Sequence, residues 1–440
     1  MIAAAKLYDI DTGDTAWVLA SAALVLFMTP GLAFFYGGMV RSKNVLAMLM
    51  QNYVTIGIVS VVWVIAQFSL AFGAGNGWIG DLHYAGLANT ATNVPLNSGL
   101  VLTVPILAFC MFQLMFAVIT PALFTGSIAD RMKFGPFLLI IVLWSFLVYA
   151  PIAHWVWSPT GWLFKLGAED FAGGTVVHAN AGAAGLALAI VLGKRKGWPK
   201  EPMRPHNLPF VLLGAAMLWF GWFGFNAGSA LGANNLAAAA FTNTNTATAA
   251  AMLGWLITEK IRDGHPTTLG AASGAVAGLV AITPACGFIS PMGSIALGLV
   301  AGSVCCLATT IKFRFGFDDA LDVVGVHLVG GVLGAMLIGL LGTAAFNSAA
   351  QKGLFYGGGF ALLGKQTAAV LASVIYSFVA TYLIAKVVGL LFRGLRVSED
   401  VEVEGLDVNL HAETGYEIGT SGGGFRAASA AARKDAEVSA

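Results

Sequence analysis

Residues 170–182 read DFAGGTVVHANAG, and the fold turns on how this stretch is read. His178 lies eight residues after Asp170, inside a run of small and apolar residues. A titratable ring in a segment of that composition needs a reason. It is either a satisfied interhelical hydrogen bonder or part of a path through a bilayer. A second stretch, 319–334, reads DALDVVGVHLVGGVLG and repeats the pattern. His327 lies eight residues after Asp319. Each histidine follows a valine, and glycines stand four and seven residues later, at Gly182 and Gly185 and at Gly331 and Gly334.

The chain around these stretches has the composition of a membrane protein. It is 58% hydrophobic and 10% charged, where soluble domains carry about 25% charged residues. No Asp, Glu, Lys or Arg occurs in 44–80, 82–129, 205–258 or 264–311. A spanning helix needs about 20 apolar residues, so each gap holds one or two. The spans are expected at about 16–39, 46–72, 100–126, 134–153, 171–192, 208–232, 236–258, 267–286, 291–311, 321–345 and 366–392. The expected fold is an all-α polytopic membrane protein of eleven transmembrane helices. The 55 glycines suit close helix packing.

Basic residues set an expected orientation. Arg41 and Lys43, Arg131 and Lys133, the cluster from Lys194 to Arg204, Lys260 and Arg262, and Lys312 and Arg314 all fall in alternate loops. The other loops hold only Lys165, Lys352 and Lys365. The positive-inside rule puts the first set in the cytoplasm, the amino terminus outside and the carboxyl tail inside. The first 14 residues lack the pattern of a signal peptide. The net charge of +1 points to no nucleic-acid partner. Cys110, Cys286, Cys305 and Cys306 have no metal spacing and read as small core residues.

The two histidine stretches fall in the fifth and tenth spans. Five is odd, so halves at about 16–192 and 208–345 are inverted repeats, with an eleventh helix at 366–392 and a transmembrane domain over 1–393. Inverted repeats place a site at the bilayer midplane. Each histidine lies about 12 Å beyond its aspartate at the helical rise. Measured from opposite faces of a core about 30 Å thick, both rings come near the middle. The aspartates stand at span starts, where a carboxylate also serves as a helix cap.

These stretches, with PIAHWVW (151–157), GWFGFNAGSA (221–230) and MTPGLAFFYGGMVR (28–41), resemble the ammonium transporter (Amt/MEP/Rh) family, on its bacterial Amt side, over roughly 16–420. The resemblance implies an external cation site at Trp157 and Ser229 with Phe112 nearby. It implies a phenyl pair, Phe116 and Phe225, closing the outer pore mouth, and twin pore histidines, His178 and His327. It gives Asp170 a supporting role. Asp319 reads as a structural cap. It also implies homotrimers in the cell membrane, no cofactor, and a PII-type signalling protein docking on the cytoplasmic face. Segment 404–419 resembles the family's ordered tail, and residues after about 421 are expected to be disordered. Without the resemblance, Trp157 reads as an interfacial aromatic, Phe116 and Phe225 as packing, and Ser229 as a close helix contact. His154 reads as structural, and FTNTNTATAAA (241–251) as interhelical hydrogen bonding.

The chemistry suits ammonium. An indole face attracts a cation by about 0.5–2 kcal/mol, and a hydroxyl accepts an N–H bond. A bare cation in hydrocarbon is costly, whereas neutral ammonia can pass. Neutral imidazole both donates and accepts, so two rings could relay the proton. Ammonia conduction without proton transfer, an ammonium sensor, a urea- or formate-type channel, a b-haem protein and a membrane enzyme are the rival readings. No H-E-x-x-H motif occurs, and no aspartate pair lies mid-span.

Overall fold

The computed structural model describes residues 9–91, 95–201 and 203–416. Among them the chain forms helices and no strand, with one isolated bridge between Met132 and Arg396. The longer helices are α1 (Thr12–Met39), α2 (45–72), α3 (Ile106–Leu123), α4 (134–157), α5 (Gly174–Leu192) and α6 (Leu208–Gly228). They continue with α7 (Asn235–Asp263), α8 (Thr268–Ile282), α9 (Pro291–Ala308), α10 (Val324–Leu341) and α11 (Ala361–Leu391). Among the described residues, nine helices are long and apolar enough to cross a membrane. They are α1 to α6 and α9 to α11. Helix α8 is apolar but has 15 residues. Helix α7 has 29 but carries the polar run 241–248 and a charged end.

Several boundaries differ from the sequence reading, for local reasons. Helix α3 starts at Ile106, not at 100, because Pro105 caps it in an extended conformation, and a residue before proline is kept out of the helical region. Helix α8 stops at Ile282, not 286, because Pro284 has no N–H to continue it. Helix α6 stops at Gly228, with Ser229 as its cap. Helix α4 runs four residues further than expected, to Trp157.

The centre of the molecule is the crossing of α5 and α10. A Cβ added to Gly182 would fall into the backbone of Leu328. One added to Gly331 would lie 2.7 Å from the Gly174 carbonyl oxygen and 2.8 Å from the Ala179 nitrogen. The glycine of each helix thus receives the histidine-bearing turn of the other. Further along, Gly185 leaves room for the Ser127 hydroxyl, and Gly334 for the Ala281 carbonyl. The spacing of four and seven residues after each histidine is therefore a packing stripe. Both crossing turns are π-helical, at 174–179 and 324–328. Such a wide turn is frequent at functional positions.

Helix α11 braces this crossing. The Ser377 hydroxyl donates to the Asn180 carbonyl at 2.8 Å, and Gln366 donates to the Glu169 and Ala335 carbonyls at 2.7 and 3.0 Å. Its opposite face exposes Leu371, Ile375, Val379, Leu383 and Val387, an apolar stripe at helical spacing. The polar run in α7 is spent partly between helices, as expected, and partly on α7 itself, where Thr242, Thr244 and Thr248 donate to carbonyls four residues earlier. The Asn243 amide donates to the Cys286 and Ile289 carbonyls, both at 2.8 Å, and the Asn226 amide donates to Thr244 at 2.9 Å. Asn245 and Thr242, however, stay exposed.

One end of the bundle is closed by ion pairs among loops. Asp130 pairs with Arg41 at 3.2 Å and with Arg195 at 3.4 Å, and Arg195 pairs with Asp318 at 2.9 Å. Arg131, fully buried, donates to the Asp318 carbonyl at 2.6 Å. The tail docks on this cluster. The Val397 N–H donates to the Arg131 carbonyl at 3.0 Å, and Arg396 pairs with Glu402 at 2.5 Å. Two short helices follow, α12 (Glu399–Glu404) and α13 (Leu406–His411), and the Asp407 carboxylate accepts the Leu46 and Ala47 N–H groups at the start of α2. The expected ordering of 404–419 holds to Tyr416, and the stretch after 421 lies outside the described residues. Burial would raise the Asp318 carboxyl, but hydrogen bonds and charge from Arg195 outweigh it and hold it below the ordinary value.

Two outcomes follow from this packing. Gly182→Val should lower the melting temperature in detergent sharply, by overpacking worth about 3 kcal/mol. Gly364→Ala on α11, where an added Cβ meets nothing within 4 Å, should leave melting unchanged. A carboxylate with a depressed pKa adds stability above its unfolded value and loses it as pH falls through the folded value. Thermal stability should therefore fall more steeply below about pH 4 in the wild type than in Asp318→Asn, as read by melting against pH.

Candidate functional site

Asp170 organises the Trp157 side of the site. One carboxylate oxygen accepts the N–H groups of Gly173 and Gly174 at 2.9 and 2.7 Å. The other accepts those of Thr175 and Val176 at 2.9 and 3.0 Å. Four donors that the start of α5 would leave unpaired are thus satisfied by one side chain. The Asp170 carbonyl accepts the Trp157 indole N–H at 3.0 Å. Asp170 therefore fixes both the turn that carries His178 and the edge of Trp157. Asp319 does less. It accepts the Val324 N–H at 2.7 Å and the Ser127 hydroxyl at 2.8 Å.

From Trp157 a column of rings runs inward. Phe116 meets Trp157 edge to face, with centroids 5.8 Å apart. Phe116 and Phe225 lie 4.2 Å apart and Phe225 lies 6.0 Å from His178. The His178 and His327 rings are nearly parallel, 5.4 Å apart, with their Nδ1 atoms at 3.3 Å. Trp222 stacks on His178 at 5.3 Å and is held by a 2.7 Å bond to Thr283. Both imidazoles, Phe116 and Phe225 are buried. The rings converge although their residues come from α3, α4, α5, α6 and α10.

The Nδ1 pair constrains the protons. One ring presents an N–H and the other a lone pair, so two neutral rings hold opposite tautomers. One Nε2 then offers a lone pair and the other an N–H. The His178 Nε2 has no protein partner. His327 lines a cavity of about 190 Å³ that also reaches Tyr36, Glu259, Ser273 and Asp322.

A second, smaller pocket of about 120 Å³ lies at the other end of the column. Phe116, Trp157 and Ser229 line it, with Phe72, Phe109, Gln113, Phe171, Leu100 and Leu231. The Ser229 hydroxyl donates to the Phe225 carbonyl at 2.8 Å, which leaves its lone pairs free to accept. Trp157 and Ser229 are thus brought together. Phe112 is not on this wall. It packs against Phe116 at 4.9 Å, buried beside Gly228. Phe109, Gln113 and Phe116 line this wall of α3, and Phe112, at equivalent helical spacing, turns toward Gly228 of α6 instead. Gln113 was missed in the sequence, although a lone glutamine on an aromatic stripe was the available signal. His154, read as structural, is buried with its ring nitrogens 3.0 and 2.7 Å from the Ala71 and Asn76 carbonyls.

Asp170→Ala should cost about 3 kcal/mol of stability, since it strands several buried N–H groups. Asp170→Asn, with one oxygen left to accept, should cost less. Thermal melting of the two variants would check the order.

The comparisons with known proteins agree in direction. The profile of the Ammonium Transporter Family matches residues 16–416. An ammonium transporter of Mycobacterium tuberculosis (strain ATCC 25618 / H37Rv) is 53% identical over 94% of this chain and 92% of its own. One of Bacillus subtilis (strain 168) is 51% identical over 92% and 98%. The crystal structure of Saccharomyces cerevisiae Mep2 superposes with a TM-score of 0.83 at 35% identity, covering 89% of each chain. A structure described as a sensor Amt protein superposes at 0.82 with 30% identity, covering 91% of this chain and 98% of its own.

Proposed function

The chain belongs to the ammonium transporter family, and we propose that it moves ammonium by splitting it into ammonia and a proton at the twin histidines. The carrying observation is the His178–His327 pair, Nδ1 to Nδ1 at 3.3 Å, at the inner end of an aromatic column. No carboxylate or lysine lines the outer pocket.

Ammonium is recruited at Trp157 and Ser229. The indole contributes cation–π attraction and the hydroxyl accepts an N–H. Phe116 and Phe225 close the path, which excludes hydrated ions. A bare cation would pay a large desolvation cost beyond them. Ammonia does not, and it can both donate to and accept from the Nε2 positions of the two buried rings. The proton follows along the rings. Asp170 supports the recruiting site through Trp157 without facing the ion, and Asp319 caps the turn of His327. The chemistry is transport, and the protein is not an enzyme.

The same reading fixes the surroundings. Helices α7 and α8 complete eleven spans, with inverted repeats over about 16–192 and 208–345. The amino terminus lies outside and the docked tail in the cytoplasm of a cell-membrane protein. Asn245, exposed midway along α7, finds its hydrogen bonds against another copy, in keeping with a homotrimer. A PII-type protein docks on the cytoplasmic face, on the tail and the loop 193–207.

Proteoliposomes given an ammonium jump should carry a current that potassium and sodium do not. His178→Ala should lose at least about tenfold of it, or leak other cations, if the rings relay the proton. Internal alkalinisation without current would mean that ammonia moves alone. Silence in both assays would replace transport by sensing.

A further inference from the structure

The outer pocket holds a polar group that this scheme leaves idle. Gln113 lines it, is 9% exposed, and makes no hydrogen bond, its Oε1 being without a partner. A buried amide carbonyl left unpaired costs free energy comparable to the bond it lacks, so a partner is expected from whatever fills the pocket. The other walls, apart from Ser229, are apolar or aromatic. Gln113 comes from the stripe of α3 that also supplies Phe116, so its position is set by the same helix that closes the pore.

We propose that Gln113 is a substrate-binding residue of the outer pocket, its Oε1 accepting an N–H of the recruited cation while Ser229 accepts another. Ammonium has four N–H donors. Trp157 takes the charge over a ring face, and Ser229, whose own proton is committed to the Phe225 carbonyl, supplies one acceptor. Gln113 supplies a second acceptor from a different helix. Two acceptors, one from α3 and one at the end of α6, hold the ion within the outer pocket, on one side of the Phe116–Phe225 pair. An amide does this without a formal charge, so the site stays weak enough to release its ion inward. The ligand class is a small N–H cation, ammonium or methylammonium.

This deepens the transport reading and rests on it, so the test measures flux and binding separately. Gln113→Leu should raise the half-saturating ammonium concentration for flux about tenfold, the worth of one hydrogen bond to a charged donor. Its maximal flux should stay within about twofold of wild type. Gln113→Glu should lower the half-saturating concentration and also the maximal flux, because a carboxylate holds the cation. Gln113→Met, apolar and of similar volume, should show the same rise in half-saturating concentration and carries the test should Gln113→Leu fail to fold. A purely structural role would lower maximal flux and melting temperature together and leave half-saturation unchanged, and that pattern overturns the proposal. If wild type itself carries no flux, the transport reading fails. The ammonium-dependent rise in melting temperature then still decides for Gln113. Its loss in Gln113→Leu supports the assignment, and its persistence refutes it.

Discussion

The site depends on two helices meeting backbone to backbone. At the crossing of α5 and α10, Gly331 lies against the Gly174 carbonyl and Gly182 against the Leu328 backbone, so no side chain separates the turns that carry the histidines. Helices that pack through ordinary side chains sit about 8–10 Å apart. At that separation the imidazoles would have no fixed relation to each other. Here the approach is closer, both turns are opened into π-helical geometry, and the rings come face to face. The Asp170 carboxylate locks one of these turns through four N–H groups. The brace from α11 ties the same region to the Asn180 carbonyl. Glycine spacing, π turns and caps are therefore one device seen at three scales.

The chain of contacts continues to the tail. Asp318 pairs with Arg195 and its carbonyl receives Arg131, whose own carbonyl receives Val397. The next residue, Asp319, caps the turn of His327. Few covalent and polar links thus separate the tail from one of the two rings, and all of them are short and buried. A tail that docks here shares its footing with the His327 half of the site.

How much of this could be read from residues alone varied with the range of the pattern. His178 and His327 were legible because each stretch carries its own aspartate and glycines at fixed spacing, a local signal that survives any fold. The unequal depth of the two caps was not, since Asp319 bonds Ser127 from a distant helix. Phe116 and Phe225 came only through family resemblance, because nothing in a chain of 29 phenylalanines marks two of them. Phe112 was placed near the cation site; it packs against Phe116 beside that pocket without lining it, a distinction that faces decide and motifs do not. Gln113 was passed over for the same reason. The basic residues 41, 131 and 195 were read as topology signals, yet with Asp130 and Asp318 they also form a buried network, assembled from four separate loops.

The paired Nδ1 atoms also set a condition on the relay. Suppose the lone-pair Nε2 belongs to the outer ring, His178. A proton arriving there lets the shared Nδ1 proton move to His327, which then releases its own Nε2 proton inward. Each ring ends as the opposite tautomer. The Nδ1 bond survives with its polarity reversed, and the pair is now ready to accept from the inner side. A second proton cannot follow until both tautomers are reset. A neutral solute that both donates and accepts, bridging the two Nε2 atoms, can carry that reset by taking the Nε2 proton of His178 and giving one to the Nε2 of His327 while the shared Nδ1 proton returns to His178. Ammonia is such a solute, and potassium is not. Under the proposed relay the passing molecule is a necessary part of the proton path, and selectivity for ammonium over potassium would follow from the relay as well as from the outer pocket.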